Sequence, residues 1–319
     1  MKFGLSTITS RVFTTADTYR AIATAAERAG FDFLSVSDHL VVPARHESHY
    51  PYVAGGAFAP AVHGHCLDQL STVAYLAACT TQLRLLTSVL VVPHRPAMLT
   101  AKMLATIDVL SKGRLIVGAG AGWMKEEFAA LSANFPDRGA LTDESLAAFI
   151  ELWTKERPSF HGRHVTFDEV IFEPKPVQKP YPPLWIGGES PPAIRRAIKY
   201  GTTWYPGNNS QTMPLDTPSR LAAGIAKVRG LCEAAGRDPP TLGATLLVQD
   251  HFEWAAHRVA DGSARRLFTG TSDDMLADAA ALTEAGVSHA ALRLGGNSAE
   301  EAVARIERFG AEVIARHKA

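Results

Sequence analysis

The stretch LRLLTSVLVVPHRPAMLTAKMLATIDVLSKGRLIVGAGAGWMKEEF, residues 83–128, contains one full repeat of the fold. It begins with a leucine-rich, β-branched run of strand length, LRLLTSVLV (83–91). A segment with apolar residues at helical spacing follows, Pro96 to Leu110, and then a second apolar run, RLIVGAG (114–120). A strand, a helix and a strand in that order make a βα repeat.

The same rhythm extends in both directions. Candidate strands are KFGLSTI, FLSVSD, LRLLTSVLV, RLIVGAG, PLWIGG, TTWYPG, TLGATLLV and HAALRLGG. Eight is the number that closes a parallel barrel. Candidate helices run from Asp17 to Ala29, Asp68 to Cys79, Pro96 to Leu110, Thr142 to Trp153, Pro191 to Tyr200, Pro218 to Ala235, Ser272 to Ala285 and Ser298 to Arg316. Thr15 or Asp17, Thr142, Ser190 and Ser272 are candidate N-caps, and Gly30, Gly201, Gly236 and Gly286 follow helix C-termini. The expected fold is an α/β (β/α)8 TIM barrel, with residues 1–319 forming one domain.

Two segments exceed a minimal barrel. Val41 to Leu67, with Pro43, Pro51, Gly55, Gly56, Pro60 and Gly64, is too long and turn-rich for an ordinary loop after the second strand and reads as a lid. Pro158 to Pro183 holds FHGRHVTF and VIFEPKPVQKPYPP, an expected hairpin and proline-braced connection before the fifth strand.

Composition narrows the function. A chain of 319 residues, 46% hydrophobic and 20% charged, has ample apolar surface for one large core. Its 32 basic and 32 acidic residues cancel, so no overall field favours nucleic acid or an anionic membrane. Cys66, Cys79 and Cys232 are odd in number and scattered, which suits a reducing compartment. The opening MKFGLSTITSRVF has no apolar core behind a basic start, and no run of about eighteen apolar residues occurs. A cytoplasmic protein is expected.

In such barrels the chemistry sits at the C-terminal ends of the strands. The second strand ends in Ser37-Asp38-His39: His39 is a proton donor or acceptor near neutral pH, and Asp38 can orient it or accept a cofactor hydrogen bond. Taken alone, the pair reads equally as a strand cap beside a solvated histidine. The third strand ends in Thr87-Ser88-Val89. The fourth ends in Gly118-Ala119-Gly120-Ala121-Gly122-Trp123, whose spacing and place after a fourth strand are not those of a dinucleotide fingerprint. Trp123 offers a wall for a planar ring. Glu126 and Glu127 favour the helix dipole whatever their function. Gly187-Gly188 with Ser190, and Pro206-Gly207-Asn208, offer polar turns and free N–H groups for a phosphate. Arg293, near the end of the eighth strand, can face an anion or pair with a carboxylate in the barrel wall.

These residues resemble the luciferase-like monooxygenase superfamily, and within it the coenzyme F420-dependent oxidoreductases. The likeness spans nearly the whole chain and rests on SVSDHLVVP, on the 83–128 stretch, and on PPLWIGG with KYGTTWYPG. The resemblance implies hydride transfer between F420 and a small organic substrate, in a protein that pairs as a homodimer. It puts Asp38 and His39 beside the deazaflavin ring, with His39 moving the proton, and a non-proline cis peptide at Ser88-Val89 behind the ring. Thr87 lies beside that bulge. It gives Trp123 and a catalytic Glu126 to the ring and substrate cavity, Gly187 and Gly188 to the phosphate-bearing tail, and Pro206 and Gly207 to the same wall. The chain departs from the pattern at Gly201-Thr202-Thr203-Trp204, where relatives often have Gly-Asp-Gly, and at Glu126, where some carry an amide. An FMN-dependent monooxygenase is the nearest alternative, and a flavin-binding protein without turnover is another. A metal-dependent hydrolase would need His46, His49, His63, His65 and Cys66 as ligands, but no carboxylate is placed to complete that site, and no metal is expected.

Overall fold

The computed structural model describes residues 1–6, 14–53, 55–58, 65–249, 254 and 264–318. Eight parallel strands close on themselves: β1 (Lys2–Ser6), β2 (Phe33–Val36), β3 (Arg84–Thr87), β5 (Leu115–Gly120), β8 (Leu184–Gly187), β9 (Thr203–Tyr205), β10 (Gly243–Val248) and β11 (Val287–Leu292). The ring is β3-β2-β1-β11-β10-β9-β8-β5, and Leu85 opposite Leu115 joins its two ends. A two-residue strand, β4 (Leu90–Val91), adds to β5 beyond a cis peptide at Ser88-Val89. The single run expected at 83–91 is therefore broken in two. The hairpin β6 (Phe160–His161) and β7 (Thr166–Phe167) stands apart from the barrel.

The helices are α1 (Ala16–Arg28), α2 (Gln69–Cys79), α3 (Ala97–Leu110), α4 (Lys125–Ala130), α5 (Arg138–Thr154), α6 (Pro191–Tyr200), α7 (Pro218–Ala234), α8 (Ser272–Glu284), α9 (Ala299–Phe309) and α10 (Ala315–Lys318), the last two joined through a π turn at Gly310–Ile314. Side-chain caps set several starts. Thr15 caps α1 and Ser190 caps α6, each accepting from the N–H three residues on. The α8 cap is Thr271, one residue before the expected Ser272, because Thr271 and Asp274 form a reciprocal capping box. Thr142 caps nothing. It lies within α5, its hydroxyl bonded back to Arg138 O at 2.6 Å. Gly30, Gly236 and Gly286 take the positive φ of a helix stop, whereas Gly201 is extended and is small because a Cβ would lie 2.8 Å from Ala197 O.

Two apolar layers follow from strand alternation. The larger packs the helices on the outer barrel face, with Leu34, Leu85, Val117, Ile186 and Leu246 meeting Leu70, Leu104, Phe149 and Ile225. The smaller fills the barrel from within: Phe33, Leu86, Ile116, Trp185, Tyr205 and Ala291. Glycine makes that filling possible, because a Cβ on Gly4 would lie 2.1 Å from the Phe33 ring. Above this plug the inward positions turn small and polar, and that end is the mouth.

At Gly118 an added Cβ would come 2.0 Å from Thr87 O, a backbone atom that cannot step aside. Gly118→Ala is expected to cost about 1–3 kcal/mol, read as a lower urea midpoint at unchanged slope. Gly230→Ala, in open space on α7, should instead gain about 0.5–1 kcal/mol.

Candidate active site

The mouth is organised by two consecutive residues that leave the end of β2 in opposite directions. Asp38, buried, turns toward β4. Its carboxylate takes both arms of Arg95, at 2.8 and 2.9 Å, and the Val91 N–H at 2.8 Å. Arg95 continues to Asp68 at 2.8 Å, which ties α2 into the same network. Asp38 is therefore spent on structure, and the expectation that it orients His39 is corrected: Arg95 saturates it.

His39 turns toward α4. Its Nδ1 lies 2.7 Å from Glu127 Oε2, while Glu127 Oε1 accepts from the N–H groups of Leu40 (2.8 Å) and Val41 (3.3 Å). The Glu127 side chain is 1% exposed. Burial works to raise its pKa, but the bond and charge of His39, the field of His94 and the Leu40 N–H outweigh that and hold it below the ordinary carboxylate range. An ionised carboxylate only accepts, so Nδ1 carries the proton and Nε2 is the acceptor nitrogen of the ring. Phe58 and Trp123 pack against the imidazole at centroid distances of 4.6 and 6.4 Å. His94, buried behind Glu127 at 4.0 Å, is held toward its neutral form by burial.

Glu127 is the residue the sequence reading missed, having taken it for a helix-dipole carboxylate. Glu126, expected to be catalytic, is held by the segment after β2. Its carboxylate accepts from Glu47 N at 2.8 Å and Ser48 N at 3.2 Å, and bonds to Ser48 and these lid amides pull its pKa down to about 2. It is an anchor for the lid.

The other expected residues divide. Thr87, expected to bind the cofactor, faces the barrel wall, fully buried, and donates to Gly118 O at 2.8 Å. Ser88 reaches inward to the Tyr205 hydroxyl at 2.9 Å. Val89 wedges between Gly120 and Gly187, where a Cβ would come within 2.7 and 2.9 Å of its methyls. The expected anion loop after β8 is short of donors. Pro191 and Pro192 open α6 without N–H groups, and Ser190 takes the Ala193 N–H. The neighbouring Glu189 is buried, with its pKa raised by that burial, and accepts the Gly207 N–H at 2.6 Å and the Tyr52 hydroxyl at 3.2 Å. Pro206 is buried and its carbonyl accepts from Leu247 N at 2.9 Å. Among the described residues no three His, Cys, Asp or Glu form a metal-binding group; His63 lies outside them.

The family described as luciferase-like monooxygenase matches residues 1–315, and the chain belongs to it. An uncharacterised protein of Mycobacterium tuberculosis is 31% identical over 222 residues, 70% of this chain and 74% of that one. An F420-dependent hydroxymycolic acid dehydrogenase of the same organism is 29% identical over 264 residues, 81% of this chain and 66% of that protein. An FMNH2-dependent dimethylsulfone monooxygenase of Pseudomonas putida is 35% identical over 138 residues, 42% of this chain and 38% of that one. The fold is shared with a solved monooxygenase from Streptomyces bottropensis, with a TM-score of 0.73 and 20% identity over 99% of this chain and all of that one.

The two carboxylates are separable by experiment. Asp38→Ala, which leaves Asp68 as the remaining carboxylate on the buried Arg95 and the Val91 N–H without its acceptor, should cost about 1–3 kcal/mol. Because the Glu127 pKa is depressed on folding, its stabilisation is whole above the ordinary carboxylate value of 4.5 and is lost as pH falls through its lower folded value. Urea melts from pH 7 down to pH 3 should show that loss in the wild type and a shallower one in Glu127→Gln.

Proposed function

We propose that this chain is an oxidoreductase that passes hydride between coenzyme F420 and a small organic substrate (an activated alkene, carbonyl or alcohol), with His39 handling the proton and Glu127 setting its tautomer. The observation that carries this reading is the 2.7 Å contact of His39 Nδ1 with a buried, ionised carboxylate at the barrel mouth. Such a pair orients the imidazole and stabilises its charged form each time Nε2 takes up a proton.

The residues of the mouth suit a planar, polar cofactor. Ser37 Oγ and Arg293 Nε are buried there without a partner among the described residues, and buried polar atoms are normally paired. Val89, seated against Gly120 and Gly187, would support one side of a ring, and Trp123 with Tyr50 and Phe58 forms an aromatic wall. When bound, F420 would supply the hydride-carrying carbon, and the protein supplies orientation and charge. Asp38 and Arg95 fix the strand end behind His39, and Glu126 holds the lid. F420 is favoured because the F420-dependent relative aligns over 81% of this chain, against 42% for the FMNH2-dependent one. The higher identity of that shorter match, 35%, supports a second reading as an FMN-dependent monooxygenase using the same histidine.

His39→Ala should lower turnover about 10²–10⁴-fold while leaving cofactor affinity nearly intact; full activity in that variant would remove the role given to His39. Fluorescence titration of the apoprotein with F420 and with FMN separates the two readings, and tight binding of FMN alone would select the second.

A further inference from the structure

One cation at the mouth has no carboxylate partner among the described residues. Asp38 is matched by Arg95, and Glu127 by His39. Arg293 follows directly after β11, two residues beyond the inward-facing Ala291, which puts it on the inner face at the C-terminal end of the barrel. Its Nη1 reaches the Gln249 carbonyl at a long 3.4 Å, the Tyr50 hydroxyl lies beside the guanidinium, and its Nε is buried without a partner among the described residues. No barrel-wall carboxylate among the described residues pairs with it. Tyr50 from the lid and Tyr205 from β9 both feel its charge, which places it between lid and barrel.

The rim after β8 offers an oxyanion few donors. Prolines remove the first two N–H groups of α6, and Glu189 occupies the N–H of Gly207. An oxyanion entering the mouth thus meets a buried acid on the β8 side and, on the β11 side, a guanidinium with no carboxylate partner among the described residues.

We infer that Arg293 is the oxyanion-recognition residue of this mouth, taking a phosphate or carboxylate group in the planar, two-pronged geometry that a guanidinium offers. The inference rests on the mouth being the binding site of the proposed oxidoreductase. The oxyanion can come from the cofactor tail or from an acidic substrate, and the test distinguishes them.

Wild type, Arg293→Lys and Arg293→Met, checked for folding by circular dichroism, are titrated by fluorescence with two pairs of compounds. FMN is set against riboflavin, and F420 against its phosphate-free deazaflavin alcohol. Melting temperatures are also measured with and without benzoate and inorganic phosphate in a chloride-free buffer. If the oxyanion is the tail phosphate, wild type prefers the phosphorylated form by about thirtyfold or more, Arg293→Lys keeps part of that preference and Arg293→Met loses it. If it belongs to the substrate, the preference survives in Arg293→Met but protection by benzoate disappears. Arg293→Met retaining both the preference and the protection overturns the inference. Should neither ring system bind the wild type while anion protection still requires Arg293, the cofactor reading fails and the anion site stands.

Discussion

A single buried carboxylate, Glu127, fixes the geometry of the mouth. Stripped of water, it must be surrounded by donors, and three come to it: His39 Nδ1 and the N–H groups of Leu40 and Val41. Those donors lie at the start of the lid, so satisfying one acid sets the lid's point of departure, the orientation of the imidazole and the position of its proton at once. The adjacent Glu126 ties down the lid further along, at Glu47 and Ser48. Both anchors stand in the first turn of α4, where the helix dipole also favours negative charge.

A second network backs the first without touching its chemistry. Asp38, Arg95 and Asp68 join the end of β2 to α2 and to the segment after β4. Neighbours along an extended chain project to opposite sides, so one residue of the pair is committed to structure and the next is free for the active site. On the far rim the lid closes through other partners: Tyr52 on Glu189 and Tyr50 on Gln249, the latter at 3.0 Å. The aromatic cluster of Tyr50, Phe58 and Trp123 spans the distance between these anchors.

The barrel and most helix bounds were legible in the sequence because both depend on short-range signals: apolar periodicity, a capping hydroxyl, a glycine at a helix stop. The site was legible in outline. His39 and Trp123 do meet at the mouth, and Ser88 and Val89 do form the inner bulge. Partners were not legible, because the carboxylate on His39 lies 88 residues away and the guanidinium on Asp38 lies 57 away. Adjacency in sequence suggested an Asp38-His39 pair, whereas each of the two finds its partner on another element. Thr87 is one step out of phase with the inward Ser88 and turns to the barrel wall. The loop after β8 was read as an anion cradle from its glycines, but the prolines and Glu189 that follow them carry more weight.

The account turns on the tautomer of His39. Nitrogen-15 NMR of the apoprotein at neutral pH, with His39 assigned by comparison with His39→Gln, reads it directly. The prediction is a neutral ring protonated at Nδ1, its proton strongly deshielded by Glu127, and a loss of that signature in Glu127→Gln. A ring protonated at Nε2, or one indifferent to the Glu127 substitution, would contradict it.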